Sequence, residues 1–256
     1  MTVPGAPLDE VRARRWFYEF DLPDGSRTSA DLPPGVASIH ATRREMLDRA
    51  LRHALGEDYS HLGAADLACH QGWFSLHLAQ LGFREVLGID ARQAHLDDMR
   101  LMAKVLGIGN VHGARLDIEE AHAADIGTHD VTVMLGLLYH LENPVRALRL
   151  ARAVTRRLFI VETQLVPHVE GRVEWGSQAF QRSLKGIFGV IDETLETHGP
   201  EAGTHGICLA PSLPALAWLL QRVGFENVTR ILPPEGGNEQ LVRHRRAMFM
   251  ATVPAP

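Results

Sequence analysis

Hydrophobic positions along this chain keep two rhythms, and the switch between them marks out the elements. Over residues 61–164, short apolar runs alternate with longer stretches of helical spacing, which predicts a parallel sheet with crossover helices. The apolar runs cover 62–69, 85–89, 111–116, 131–137 and 158–163. Leu96, Met99, Ala103 and Leu106 fall on one helical face and stop before Gly107, a C-cap signal. Asn143 and Pro144 read as an N-cap and first-turn pair. Right-handed crossovers then give a doubly wound α/β sheet with its binding crevice at the carboxyl ends of the strands.

The flanks behave differently. Residues 1–60 open with a short stretch read as an unstructured leader, followed by the aromatic cluster Trp16-Phe17-Tyr18. Breaks follow at Pro23-Asp24-Gly25 and Pro33-Pro34-Gly35, then an amphipathic helix carrying Met46, Leu47, Ala50, Leu51, Ala54 and Leu55. This segment is expected to act as a lid on the substrate side. Residues 165–211 lose the alternation and read as an insertion over the crevice. Residues 212–256 supply a helix from Ser212 to Gly224, with Leu216, Leu219, Leu220 and Val223 on one face. Two more strands, 226–232 and 247–253, complete a mostly parallel seven-stranded sheet with an antiparallel C-terminal edge strand. No internal repeat interrupts this division.

Composition narrows the function classes. A chain of 256 residues is long enough for one large core. Its longest apolar run, 213–220, is far short of the roughly 18 residues of a membrane span. Two cysteines, Cys69 and Cys208, make neither a disulfide framework nor a four-thiolate metal site, so a reducing cytoplasm is the expected setting. The net charge of −5 removes the easiest argument for a nucleic-acid partner, a strongly basic surface. It leaves self-association open.

The chemistry concentrates at strand ends. The first strand finishes in Asp66-Leu67-Ala68-Cys69-His70-Gln71-Gly72, and the second in Gly88-Ile89-Asp90. A tight turn brings backbone close to a ligand, and an acid at the next strand tip can accept both hydroxyls of a ribose. A nucleoside therefore fits this pattern. With one glycine where three are usual, a pyrophosphate fits less well.

Here the chain resembles the class I S-adenosylmethionine-dependent methyltransferases, whose first motif is Asp-x-Gly-x-Gly-x-Gly. Asp66, Ala68, His70 and Gly72 fall on its four fixed positions. Asp90 matches the ribose-binding acid, and Asp117-Ile118 the pair that contacts adenine. The wording Leu135-Gly136-Leu137-Leu138-Tyr139-His140, followed by Asn143-Pro144, is similar to the subgroup of tRNA wobble-uridine carboxymethyltransferases and of sugar and natural-product O-methyltransferases. The resemblance implies a Rossmann-like fold and S-adenosylmethionine as cofactor, held by Asp66, Ala68, His70, Gly72, Asp90, Asp117, Ile118 and Gly136.

Further residues are candidates for the acceptor side. His140 suits a base that takes the proton from an alcohol, and its alternative is a structural histidine. Tyr139 lines the transfer site or serves as a core aromatic. Arg43, Glu162, Gln164 and Trp175 are the candidate substrate contacts; Arg43 is able to clamp an anion, and its alternative is a solvated arginine at a helix start. Glu162, with Asp192 and Glu193 as fellow oxygen ligands, could help hold a magnesium-type ion, an idea that no compact spacing supports. The favoured activity is O-methylation of a polar small molecule. The alternatives are a tRNA wobble-uridine modification and a non-catalytic cofactor-binding scaffold.

Overall fold

A computed structural model describes residues 5–30, 32–174, 176, 180–193, 203 and 206–254. Helices α1 (Gly5–Ala13) and α2 (Pro34–Leu55) precede β1 (Gly63–Leu67), α3 (Trp73–Gln80), β2 (Glu85–Asp90), α4 (Gln93–Leu106) and β3 (Val111–Arg115). The short α5 (Ala123–Ile126), β4 (His129–Leu135), α6 (Pro144–Val154) and β5 (Thr155–Gln164) finish the alternating part. Two hairpins follow, β6 (Arg172–Glu174) with β7 (Gln181–Ser183) and β8 (Phe188–Asp192) with β9 (Ile207–Pro211). Helix α7 (Leu213–Arg222), β10 (Glu226–Ile231), the short α8 (Glu239–Val242) and β11 (Arg246–Thr252) complete the chain.

The seven-stranded sheet has the order β10-β11-β5-β4-β1-β2-β3. Strands β1 to β5 are parallel, and β11 runs antiparallel between β5 and β10. The antiparallel strand thus sits one place inside the edge that β10 forms. Because side chains alternate across a strand, the two central strands feed two separate cores. Val131, Val133, Leu158 and Ile160 face one core with α2 and α3, while Met134, Phe159 and Val161 face another with α6 and α7.

Helix α2 is part of this core. Ile39, Met46, Leu47, Ala50 and Leu51 pack on the sheet, and Ala54, expected on the same face, is exposed. From this segment Phe17, Tyr18, Leu32 and the α2 residues Val36, Ile39, His40 and Arg43 line the crevice, while the rest of α2 packs on the sheet. Helix α1 begins at Gly5, so the expected leader is partly helical, and residues 1–4 lie outside the described residues. Gly107 takes a φ of 68° and caps α4 with N–H bonds to Ala103 and Lys104 carbonyls, as its position predicted. Among the described residues no helix is long and apolar enough to cross a membrane.

Candidate active site

The carboxyl ends of the parallel strands open into a cavity of about 400 Å³, an ordinary size for a small-molecule site. Its first wall is the turn after β1. Ala68 and His70 hold φ angles of 66° and 51°, a left-handed region that costs a side chain about 1 kcal/mol. Hydrogen bonds hold the strain in place. Cys69 N–H donates to the Ile89 carbonyl (2.7 Å), Gly72 N–H to the Cys69 carbonyl (2.8 Å), and His70 N–H to Asp90 Oδ2 (2.9 Å).

Asp90 therefore ties the turn to the tip of β2. Its Oδ1 accepts the Arg92 N–H at 2.9 Å and lies 3.0 Å from His95 Nδ1. Burial works to raise its pKa, but the His95 hydrogen bond and charge and the backbone donor outweigh it, leaving the carboxyl below its ordinary value. A carboxylate offers about four acceptor positions, and three are taken. Oδ2 keeps room for one ligand hydroxyl, where the sequence suggested a pair. Asp90 thus both braces the turn leading into α4 and walls the cavity.

The cavity brings together Ala68, His70, Asp90, Asp117, Ile118, Gly136, Tyr139 and His140 of the expected set, with Arg43 and Gln164. Three expected contacts are placed elsewhere. Asp66 is buried beneath the turn, where its Oδ2 accepts from Ser75 Oγ at 2.7 Å, and burial pushes its carboxyl up to about 7. Gly72 faces α4: a Cβ there would collide with the Met99 side chain, so its job is close packing under the turn. Glu162 is fully buried between two arginines, with Arg246 Nε at 2.6 Å and Arg43 Nε at 3.0 Å. Trp175 lies outside the described residues.

Arg43 itself is not a solvated helix-start residue, because α2 carries it into the interior at 5% exposure. Burial disfavours the charge of Arg246, yet Glu162 and Tyr139 more than offset this and hold its pKa above the ordinary value. The Arg246 guanidinium also lies over the Tyr139 ring, 4.7 Å from its centroid. Tyr139 is thereby fixed from below while it lines the cavity.

His140 closes a short 3₁₀ turn after β4, and its partner comes from far along the chain. Nδ1 lies 2.6 and 2.7 Å from the two carboxylate oxygens of Glu193, just past β8. Glu193 also accepts the Gly203 N–H at 2.7 Å and the Cys208 S–H at 3.2 Å, both on Oε2. Burial opposes the charge of Glu193, but the His140 hydrogen bond and these donors hold it at about 2. An ionised carboxylate only accepts, so Nδ1 carries the proton and Nε2 is the basic nitrogen of the neutral ring. The Cys208 thiol is pushed up to about 12, mainly by burial and by Glu193, and stays protonated.

Glu193, weighed from sequence only as a metal ligand, is the partner of His140 in the structure. Its pairing with His140 spans 53 residues, and no spacing signal marks it. Glu162, Asp192 and Glu193 do not converge on an oxygen site, and no group of three or more His, Cys, Asp or Glu among the described residues could hold a metal. His40, which sequence reading passed over, also lines the cavity.

Comparison with known proteins agrees with this geometry. Residues 64–157 match a family model described as a methyltransferase domain. The chain is 26% identical over 181 residues to the tRNA U34 carboxymethyltransferase of Saccharophagus degradans, covering 70% of this chain and 49% of that protein. A second protein of that name, from Ectopseudomonas mendocina, is 26% identical over 240 residues, 88% of this chain and 68% of its own. The chain thus spans about half the length of the first of these relatives. Among solved structures, the N-terminal domain of EvdMO1 with SAH bound superposes with a TM-score of 0.65 at 19% identity, covering 100% of this chain and 98% of that one. Magnesium protoporphyrin IX methyltransferase from Synechocystis PCC 6803 with bound SAM gives 0.56 at 14% identity, covering 88% and 86%. Residues 64–157 thus carry a methyltransferase domain, and the motif and sheet order agree with the class I S-adenosylmethionine-dependent fold.

Proposed function

We propose that the protein methylates a hydroxyl group of a polar small molecule, a sugar or specialised metabolite, with S-adenosylmethionine as donor and His140 as base. The observation that carries this reading is the His140–Glu193 pair on the cavity wall. The residues present suit the cofactor: Asp90 Oδ2 has one acceptor position left for a ribose hydroxyl, and Asp117 and Ile118 line the adjacent wall. When bound, S-adenosylmethionine supplies a methyl group already activated on a sulfonium, so the protein chiefly aligns the reactants.

What remains for the protein is the acceptor's proton. Glu193 fixes the His140 tautomer and ring orientation, and it stabilises the imidazolium that forms when Nε2 takes that proton. Tyr139 packs 3.9 Å from the His140 ring, centroid to centroid, and limits its rotation. Gln164, at the exposed end of β5, can contact acceptor hydroxyls. A sugar acceptor is supported by one more observation: the EvdMO1 N-terminal domain, solved in the presence of SAH and D-fucose, covers 97% of this chain with a TM-score of 0.63.

The test is methyl transfer to a panel of sugars and hydroxylated metabolites, followed by mass spectrometry. His140→Ala should lower kcat by roughly 10²- to 10⁴-fold, the usual worth of a positioned base, with S-adenosylhomocysteine affinity almost unchanged. An undiminished rate, or an equal loss of cofactor binding, removes His140 from that role.

A second reading, modification of a tRNA wobble uridine, is favoured by the names of the relatives. The net charge of −5 speaks against a phosphate-tracking surface. Tight tRNA binding that weakens steeply with salt would put this reading first.

A further inference from the structure

The strand order divides the cavity into two ends. The tips of β2 and β3 lead to Asp90, Asp117 and Ile118, while Gln164 stands at the tip of β5, beside β11. Three strand spacings of about 4.8 Å separate β2 from β5, roughly 14 Å in all. A nucleoside at the first end would leave the second to another molecule, with His140 past β4 between the two.

Two amides mark that second end. Gln164 and Gln240 both line the cavity, and neither side chain has a hydrogen-bond partner among the described residues. Gln71, by contrast, uses both ends of its amide inside the protein, accepting the Phe17 N–H at 2.7 Å and donating to Asp98 at 2.8 Å. Backbone bonds set α8 beside the end of β5: Arg245 N–H donates to the Gln240 carbonyl and Leu165 N–H to the Arg245 carbonyl, both at 2.8 Å. A helix of one turn does not hold its place alone, and Asn238 braces this one against α2. Its N–H donates to Thr42 Oγ1 at 2.9 Å, and its Nδ2 to Ser38 Oγ at 2.8 Å and the Gly35 carbonyl at 3.1 Å. Its Oδ1 accepts the Gln240 N–H at 3.0 Å. The same anchor brings Val36, 38% exposed, to this end of the cavity.

The charged groups here are engaged with one another. Arg43 and Arg246 flank Glu162, Asp66 acts on Arg43 from beneath the turn, and His140 is paired with Glu193. Each amide gives two N–H donors and a carbonyl acceptor, and a sugar hydroxyl both donates and accepts. Adjacent hydroxyls can therefore satisfy both ends of one amide. An anion only accepts, and it would leave two carbonyl oxygens facing negative charge.

We propose that Gln164 and Gln240 select the acceptor by binding adjacent hydroxyls of a neutral saccharide ring, whose C–H face rests on Val36 and whose next hydroxyl meets His140 Nε2. The part given to His140 rests on the methyl-transfer reading; the binding rests on the cavity alone.

The test uses the intact chain loaded with S-adenosylhomocysteine. D-fucose, D-galactose and D-xylose are compared with D-galacturonate, which carries a carboxylate where D-fucose has a methyl group. The side-chain ¹⁵NH₂ resonances of the two glutamines are assigned by their loss in Gln164→Leu and Gln240→Leu. Gln164→Glu and Gln240→Glu remove the same signals and serve where a leucine variant does not fold. A neutral sugar should shift both amides, and each leucine variant should weaken its binding about fivefold or more with S-adenosylhomocysteine affinity unchanged. D-galacturonate should bind about fivefold or more weakly than D-fucose. In turnover the loss should fall on KM rather than kcat. The subsite is overturned if no neutral sugar registers at these amides, or if D-galacturonate binds as well as D-fucose. Sugars that register at both amides without any methyl transfer support the subsite and sink the methyl-transfer reading. Methyl transfer to a sugar with KM unchanged in both variants overturns the subsite and leaves that reading standing.

Discussion

The two halves of the cavity are built on different plans. The half proposed to hold the nucleoside consists of consecutive strand tips: the turn after β1, Asp90 at the end of β2, and Asp117-Ile118 just past β3. Among the strand tips its hydrogen bonds run from the His70 N–H to Asp90 Oδ2, 20 residues apart, and from the Leu116 N–H to the Asp90 carbonyl, while Gln71 ties the turn to the Phe17 N–H of the N-terminal segment. The half proposed for the acceptor is assembled from distant segments, with Arg43 from α2, Glu162 from β5, Arg246 from β11, and His140 joined to Glu193. One half is a property of the local crossover unit and the other of the completed fold. Damage to the second should therefore cost stability as well as function, while damage to the first should cost mainly ligand affinity.

The largest effect that tests this contrast is Glu162→Ala. It strands two buried arginines, so it should destabilise the protein by about 3–5 kcal/mol, a drop of roughly 10 °C in Tm by calorimetry. A shift of only a degree or two would mean the acceptor half is not knitted into the core as described. Next comes Glu193→Gln. Because the folded-state pKa of Glu193 is depressed to about 2, its contribution is fully present above the unfolded value of about 4.5 and is lost as pH falls toward 2. Wild type should exceed the variant by about 3 kcal/mol at neutral pH in denaturant titrations, with the gap closing between pH 4.5 and pH 2. A gap independent of pH would assign the loss to packing rather than charge.

Asp90→Asn should act mainly on the ligand. Losing a charged acceptor should weaken S-adenosylhomocysteine binding roughly 10- to 100-fold by calorimetry, with a smaller loss of stability than Glu162→Ala. If the stability losses are equal, the contrast between the halves is wrong. The smallest effect is expected from Ala68→Gly. Relief of the positive φ at Ala68 competes with the extra freedom of glycine in the unfolded chain, so Tm should rise by no more than roughly 2–4 °C with ligand affinity unchanged.

This contrast also explains what the sequence could convey. The strands at 85–90 and 111–115, the cap at Gly107 and the acid at Asp90 are written in local periodicity and turn chemistry, and they stand where the pattern placed them. Asp66 and Gly72 share that local signal, but motif position does not say which side of the turn a group faces, and both face inward. Arg43 looked like a solvated arginine because nothing near it reveals that Glu162 waits on the sheet, 119 positions later. Glu193 looked like a possible metal ligand because its partner, His140, is supplied by tertiary contact alone. A polar residue inside the apolar run at 158–163 was the one available hint that Glu162 needed a buried counter-charge.

Gly203 has a further consequence. A Cβ at that position would lie 2.6 Å from the His140 carbonyl and 3.1 Å from Glu193 Oε2, so the inserted segment docks on the sheet with no tolerance for bulk. The Glu193 carboxylate that holds the His140 imidazole thus comes from the same inserted segment as the β8–β9 hairpin. Recombination that replaced residues 165–211 would remove the carboxylate partner of His140, and under the proposed reading would impair proton transfer in the same event. New selectivity in such descendants would have to arrive with its own means of steadying the imidazole.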